Sequence, residues 1–532
     1  MASTDHKAAK RVAIVGAGTS GLAACKHLLA RGFRPVVFEA GASVGGLWTR
    51  TLASTRLQSP HVAYRFSDFP WPEEGGVDWY PRHDQVLAYL AAYARRFGVD
   101  ACVRFRSRVV AAEFVGGAEE DGEQLYWAGN GEAFGGDGAG VWRLAVRHGD
   151  SDDTQTYEFD FLILCIGRFS GVPNIPAFPP NGGPDAFRGG RVLHSMDLSD
   201  MDDADAATLV KGKRVAVVGS GKSAVDTAAE CAEANGVEHP CTMICRSPQW
   251  LAHDTDVWGR VNLGYLYVNR FAELMVRKPG AGWASSLIAT LLTPLAWLIS
   301  KVTEAYYKKA LPLREFGMVP ELGFAESMAS CKIGMLPDGF YDKVRDGSIV
   351  IRRTRTSFSF CEDGLVLDDG ADGRVVHADL VILATGFRGD QKLRDMFVSP
   401  RVKEIVAGSS HTTVPLYREC VHPRIPQMAV IGYSESLTNI YACEMMAKWV
   451  ARFLDGAFRL PSVRRMEQSV AEWGSYMKRS GGDRFRRSCL GAVNIWYNDQ
   501  LCRDMGCEPR RKKGFVAEWF QPYGAADYAD IQ

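Results

Sequence analysis

Two stretches of the chain repeat one pattern of apolar runs and glycine turns. The first opens on a short β-branched run, Arg11 to Val15, which reads as a buried parallel strand. Gly16-Ala17-Gly18-Thr19-Ser20-Gly21 follows, then a helical stretch, Leu22 to Ala30, stopped at Gly32. Pro35 to Phe38 is a second strand with Glu39 at its end. About two hundred residues later the pattern returns. Arg214 to Val218 is a strand, Gly219 to Ala224 the turn, Val225 to Ala234 a helix stopped at Gly236, and Thr242 to Cys245 the second strand, followed by Arg246. The chain therefore carries two strand–turn–helix–strand units of the dinucleotide-binding kind.

Two further apolar strands end in small-residue turns that let a ligand approach the backbone. Phe159 to Cys165 runs into Ile166-Gly167, and Leu380 to Leu383 runs into Ala384-Thr385-Gly386. Gly116 to Gly140, rich in glycine and acid, reads as a hairpin tip or insertion without assigned function. Asp200 to Asp205 is an acidic linker. Trp283 to Ser300 is almost free of charge and interrupted by Pro294. Its length is at the lower limit for a bilayer span. The expectation is a buried helix pair, with a surface-lying membrane contact and a true span as alternatives.

Composition narrows the class. At 532 residues the chain suits two or three domains. Sixty-two basic residues balance sixty-two acidic ones, which gives no electrostatic case for nucleic acid. The thirteen cysteines are scattered, with no C-x-x-C pair, and read as reduced thiols of a cytoplasmic protein rather than a disulfide frame or a metal site. Met1 to Lys10 lacks the apolar core of a signal peptide.

The two turns differ in a way that assigns their ligands. In the first, Gly16 permits the tight turn, Gly18 lets the backbone reach a pyrophosphate, and Gly21 lets helix pack on strand. Glu39 is placed to bind ribose hydroxyls, as FAD requires. In the second, Gly219, Gly221 and Ser223 form the loop and Ala224 takes the third glycine position. Arg246 and Ser247 stand where the first unit has its acid. A carboxylate there would repel a 2′-phosphate, whereas a guanidinium and a hydroxyl would bind one, so this unit should prefer NADPH. Lys222 is expected to add positive charge to the loop. Two nucleotide sites imply hydride transfer from nicotinamide to flavin. The missing C-x-x-C pair removes the disulfide reductases that share this architecture.

Further segments carry a resemblance. Val44-Gly45-Gly46-Leu47-Trp48 resembles the flavin-contacting G-G-x-W segment of flavin-containing monooxygenases, and Phe66-Ser67-Asp68-Phe69-Pro70 their S-D-F-P segment. Ala384-Thr385-Gly386-Phe387 is similar to the A-T-G-Y/F turn of N-hydroxylating members, and Phe187 to His194 to the F-x-G-x-x-x-H fingerprint. These occur in family order over nearly the whole chain. The resemblance is closest to the plant branch best known for N-hydroxylation of pipecolic acid in systemic immunity, through Leu57-Gln58-Ser59, Phe69-Pro70-Trp71-Pro72, His194-Ser195-Met196-Asp197 and Pro415-Leu416-Tyr417-Arg418. The fingerprint departs from the family by one extra residue between Phe187 and Gly190, and by Leu198 in place of its closing aromatic. His194, near a domain junction, reads foremost as a hydrogen-bonded structural residue.

The resemblance implies an α/β fold of two doubly wound Rossmann-like dinucleotide-binding domains. The NADPH domain (206–375) would be inserted into an FAD domain made of 1–205 and 376–532, with the active site between them. It implies that Gly45, Gly46, Leu47, Trp48, Thr385 and Gly386 meet cofactor. It also implies that a C4a-hydroperoxyflavin oxygenates a nucleophilic nitrogen or sulfur, with Gln58 at the place of the family's active-site amide. A small amine or sulfur compound and O2 are the expected partners, with a peripheral contact to the endoplasmic reticulum surface if 283–300 is exposed. A Baeyer–Villiger or auxin-pathway oxygenase, a catalytically silent flavin-binding protein, and a simple NADPH oxidase remain as alternatives.

Overall fold

The computed structural model describes residues 10–531 except 73–75, 117–126, 128–129, 135–139, 260, 355–356, 369–373, 410–411 and 483–487. The β-branched runs become inner strands of two parallel sheets. In the first, the strand order is Met428–Val430, Phe161–Leu164, Val12–Val15, Val36–Phe38 and Val103–Arg104. Every neighbouring pair runs parallel. Val12–Val15 and Phe161–Leu164 are buried along their whole length, as strands covered on both faces must be. Helix Thr19–Leu29 carries the chain from the first strand to the second, and the buried helix Asn439–Leu454 packs on it. An antiparallel sheet of Ser107–Val115, Val141–His148 and Thr154–Phe159 lies between the second strand and Phe161–Leu164. The stretch expected as its hairpin tip, 116–140, falls largely outside the described residues.

The second sheet has the order Ile349–Arg353, Cys241–Cys245, Val215–Val218, Leu380–Leu383 and Arg191–His194, again parallel throughout. Its strands reach beyond the expected insert of 206–375 on both sides. Arg191–His194 offers only two apolar residues to a sequence pattern, and its pairing with Leu380–Leu383 is a long-range contact. The second sheet therefore draws on 191–383. The chain returns to the first sheet only at Met428–Val430.

Two expectations are corrected. The cysteines are not all thiols: Cys331 and Cys489 form a disulfide across a sequence separation of 158. The other cysteines are free. Spacing could not show this pair, because the fold alone brings its Cα atoms to 5.7 Å.

The apolar segment at 283–300 is a helix pair, but not a buried one. Helices Trp283–Leu291 and Thr293–Ala310 meet at a bend of 47°. Pro294 starts the second helix, where its missing N–H costs nothing. Trp283 is 82%, Leu291 69% and Trp297 60% exposed. The second helix instead buries a polar face: Ser300 Oγ and Glu304 Oε1 accept the backbone N–H groups of Ala325 and Phe324. A uniformly apolar run does not say which face is covered, and here partners for Ser300 and Glu304 decide it. Among the described residues no single helix is long and apolar enough to cross a membrane.

Candidate active site

The first glycine turn is built by close approach. Gly16 sits at φ +104°, and a Cβ there would lie 2.5 Å from the Cys165 carbonyl oxygen of the neighbouring strand's end. At Gly21 a Cβ would lie 1.9 Å from the Gly16 carbonyl oxygen, so helix and turn are in direct contact. Gly45 N–H donates to the Ala17 carbonyl at 3.0 Å, and a Cβ on Gly46 would come within 2.9 Å of Gly18 Cα. The Gly45-Gly46 segment is thus folded onto the pyrophosphate turn. Trp48 donates to the Tyr64 hydroxyl at 3.3 Å, and Leu47 is exposed to the cavity. Glu39 accepts the N–H groups of Ala17 and Gly41, both at 2.7 Å. It braces the turn from below while still facing the cavity.

The second turn repeats the construction. Gly219 has φ +149°, and a Cβ would stand 2.5 Å from the Ala384 carbonyl oxygen. Ala384 is to Gly219 what Cys165 is to Gly16: each follows the strand paired beside the turn's own strand. Ala224 is fully buried in the third glycine position. Gly221 caps the following helix, Lys222–Asn235, which opens with Lys222 and Ser223. Lys222 does not supply the expected free charge. Its ammonium pairs with the buried Asp226 at 2.7 Å, the i,i+4 partner that helical spacing provides.

Arg246 is exposed at the end of its strand and faces the cavity, with Ser247 beside it. Arg353 ends the adjacent strand in register with Cys245 and donates to the Arg246 carbonyl at 3.4 Å. This second guanidinium also donates to the Gly317 carbonyl, so it braces the strand end that carries Arg246, through a pairing that spans more than a hundred residues.

Both turns open into one cavity of about 1760 Å³. Its wall includes Gly16, Gly18, Glu39, Gly45, Gly46, Leu47, Trp48, Gln58, Gly219, Gly221, Ser223, Arg246, Ser247, Thr385 and Gly386. Gly21 and Ala224 stand behind it as packing positions. Gln58 comes from the first domain, and its side-chain oxygen accepts the Met335 N–H at 3.2 Å from the inserted domain.

Thr385 exchanges two hydrogen bonds with Asn174: its hydroxyl donates to the Asn174 carbonyl and its carbonyl accepts from Nδ2 at 3.0 Å. Lys392, a few residues on, donates to the Ile166 carbonyl and, at 2.9 Å, to Ser170 Oγ. Burial, aided by nearby Arg108, pulls its ammonium down to about 8. Lys392 ties the end of the second sheet to the turn of the first, and no sequence motif marked it.

Two other motif residues are structural. Ser67 donates from backbone and hydroxyl to the buried Glu444, while Lys448 donates to the same hydroxyl at 2.9 Å. The segment at 66–70 is thereby clamped to helix Asn439–Leu454. His194 accepts the Met196 N–H at 3.1 Å and caps helix Ser195–Ser199, with its ring edge-on to Phe387.

The flavin-binding monooxygenase-like family matches residues 9–515. The chain belongs to this family. Its relatives include the probable flavin-containing monooxygenase 1 of Arabidopsis thaliana, 38% identical over 99% of this chain and 98% of that one. Flavin-containing monooxygenase 1 of Canis lupus familiaris is 26% identical over 94% of this chain and 84% of its own. Among solved structures, NADP+-bound cyclohexanone monooxygenase from Rhodococcus sp. Phi1 superposes with a TM-score of 0.64 at 17% identity, covering 93% of this chain and 97% of that one. S-allyl-L-cysteine S-oxygenase from Allium sativum gives 0.57 at 19% identity, covering 94% and 89%. These structures share the two-domain fold. As a flavin-binding monooxygenase the chain is an enzyme that uses FAD and NADPH. The glycine turns fit those cofactors, because each leaves backbone bare where a Cβ would collide.

Proposed function

We propose that this flavin-binding monooxygenase N-hydroxylates a small amine, with pipecolic acid as the first substrate to test. Bound FAD would take a hydride from NADPH and activate O2 for transfer to a nucleophilic nitrogen. The turn of Gly16, Gly18 and Gly21 holds the FAD pyrophosphate, and Glu39 meets its ribose. Gly219, Gly221 and Ser223 hold NADPH, with Arg246 and Ser247 at the 2′-phosphate. The observation that carries the reading is the single cavity joining both turns, with Gln58 in its wall. Because the Gln58 carbonyl is engaged by Met335, its NH2 group is the end left to donate into the cavity. A donor fixed in place before reaction stabilises developing negative charge without reorganising.

The test is product mass spectrometry with NADPH, labelled oxygen and candidate amines. A labelled N-hydroxy product supports the reading. Label in a sulfoxide shifts the substrate class to sulfur, and label in an ester supports the Baeyer–Villiger alternative. NADPH consumption with peroxide as the sole product supports an oxidase. Bound flavin without oxygen uptake supports a silent flavin-binding protein.

A second reading concerns location. The exposed side chains of Trp283, Leu287, Leu291, Trp297 and Leu298 suit a helix pair lying in the interfacial plane of a membrane. Phe515 and Val516 add apolar surface on helix Phe515–Phe520, which packs with Arg270–Leu274, a neighbour of Trp283–Leu291. On this reading the enzyme would lie at the cytoplasmic face of a membrane such as the endoplasmic reticulum, held there by this apolar surface.

A further inference from the structure

The Cys331–Cys489 bond joins two parts of the cavity wall that belong to different domains. Cys331 follows helix Phe324–Ala329 and precedes strand Ile333–Met335, whose last residue holds Gln58. Cys489 lies in a short parallel bridge with Glu435, fixed by Leu490 N–H to the Glu435 carbonyl at 2.7 Å. Glu435 opens the run 435–439, which lines the cavity. Cys331 itself lines the cavity and is partly exposed, whereas Cys489 is fully buried. Cys331 also has φ +50°, a left-handed conformation that a non-glycine residue keeps only where its surroundings hold it. Two other cysteines, Cys165 and Cys443, line the same cavity. Both are buried, and burial pushes their thiols up, Cys443 to about 11. They are poor nucleophiles beside a partly exposed thiol.

We propose that Cys331 and Cys489 are a reversible redox modification site, closed by hydrogen peroxide arriving through the cavity and opened by a dithiol, that sets how tightly turnover is coupled. Cys331 thiolate attacks one peroxide oxygen. The O–O bond breaks, hydroxide leaves and takes up a proton as water, and Cys331 becomes a sulfenic acid. The Cys489 sulfur then displaces the sulfenic hydroxyl. The S–S bond forms, and a second water leaves with the Cys489 proton. Two thiols and one peroxide give one disulfide and two waters, with two electrons passing from sulfur to oxygen. A dithiol reverses the step by exchange through a mixed disulfide.

The closed bond fixes the strand that positions Gln58 against the cavity run at 435–439. Peroxide that leaks from a loose site therefore tightens it. The proposal rests on the monooxygenase reading only for this coupling effect. The thiol chemistry is read without substrate.

The test uses the flavin-loaded enzyme. One portion is treated with dithiothreitol and desalted. Half of that is given one equivalent of hydrogen peroxide. All portions are alkylated and digested, and mass spectrometry reads the peptide linking Cys331 to Cys489. In parallel, peroxide released per NADPH consumed is measured. The linked peptide should vanish with dithiothreitol in the native protein and return with peroxide. The reduced enzyme should release at least twofold more peroxide per NADPH. Cys489→Ser should match the reduced enzyme and ignore dithiothreitol, and the wild-type comparison stands alone if that variant folds poorly. A link that resists dithiothreitol until the protein is denatured would make the bond a permanent tie and overturn the proposal. So would cysteines that stay alkylatable after peroxide. A reversible link with an unchanged peroxide ratio would overturn the coupling role.

Discussion

Gln58 and Met335 meet across the domain boundary: the side-chain oxygen of Gln58 accepts the backbone N–H of Met335 at 3.2 Å. One residue thereby reports the relative placement of both domains to the cavity. The fold thereby fixes the side-chain oxygen of Gln58 in the cavity wall.

Coupling should depend on the Gln58 amide more than flavin reduction does. Gln58→Ala is expected to reduce flavin with NADPH at a near-normal rate, yet to leak peroxide and lose roughly tenfold in hydroxylated product, the worth of about one hydrogen bond. Gln58→Glu keeps an acceptor for Met335 but offers no NH2, so it should behave like alanine at neutral pH. A parallel assay of NADPH, peroxide and N-hydroxy product decides. Full coupling in both variants would remove Gln58 from oxygen transfer.

Flavin retention should separate the two third-glycine positions. Gly21→Ala puts a methyl where the Gly16 carbonyl oxygen stands 1.9 Å away, so the purified protein should be colourless or insoluble. Ala224→Gly, at the corresponding place in the second turn, should stay yellow. Gly18→Val presses on both the pyrophosphate position and Gly46 and should also lose flavin. Absorbance at the flavin band against protein concentration reads all three. Normal flavin content in Gly21→Ala and Gly18→Val would falsify the assigned site.

Cofactor choice should follow the guanidinium at the strand end. Arg246→Ala should raise the KM for NADPH by an amount corresponding to about 1.5–3 kcal/mol, with NADH little changed. Equal effects on NADPH and NADH would sink the 2′-phosphate role.

Acid should loosen the fold through His422. Its Nδ1 accepts the Arg424 N–H at 3.0 Å, its Nε2 lies 3.1 Å from the Ile405 carbonyl, and burial holds its pKa at about 4. The folded-state value lies below the unfolded one, near 6.5, so the unfolded chain binds the extra proton first. Stability from this site is intact above pH 6.5 and declines as pH falls toward 4, by about 3 kcal/mol at most. Thermal melts of wild type and His422→Gln across this window should show a smaller acid loss in the variant. Parallel curves would show that the site does not contribute.

Membrane attachment should reside in the exposed helix pair. The wild type should sediment with vesicles and be released by detergent. Leu291→Glu with Trp297→Glu should stay in the supernatant and bind flavin normally, since both side chains project outward. Equal sedimentation of both proteins would reject the membrane reading.

The sequence by itself determined the two dinucleotide units. Their signals are local: a β-branched strand, a glycine turn and a helix stop lie within about thirty residues, and the backbone there tolerates few side chains. The family also was legible, because its short segments occur in order along the chain. Tertiary structure decided what depends on distant partners. Arg191–His194 became a sheet edge only by pairing with Leu380–Leu383. Lys222 lost its free charge to Asp226, although i,i+4 spacing on a helix was already a signal for that pair. Lys392 joined the cavity wall through a turn far from either motif. Cys331 and Cys489 met only because the inserted domain folds back on the C-terminal third. Whether the apolar run at 283–300 faced in or out was settled by Ser300 and Glu304, whose partners are the N–H groups opening the helix at Phe324. Local sequence fixes conformation through sterics and periodicity, whereas burial and pairing of charge depend on neighbours that only the folded chain supplies.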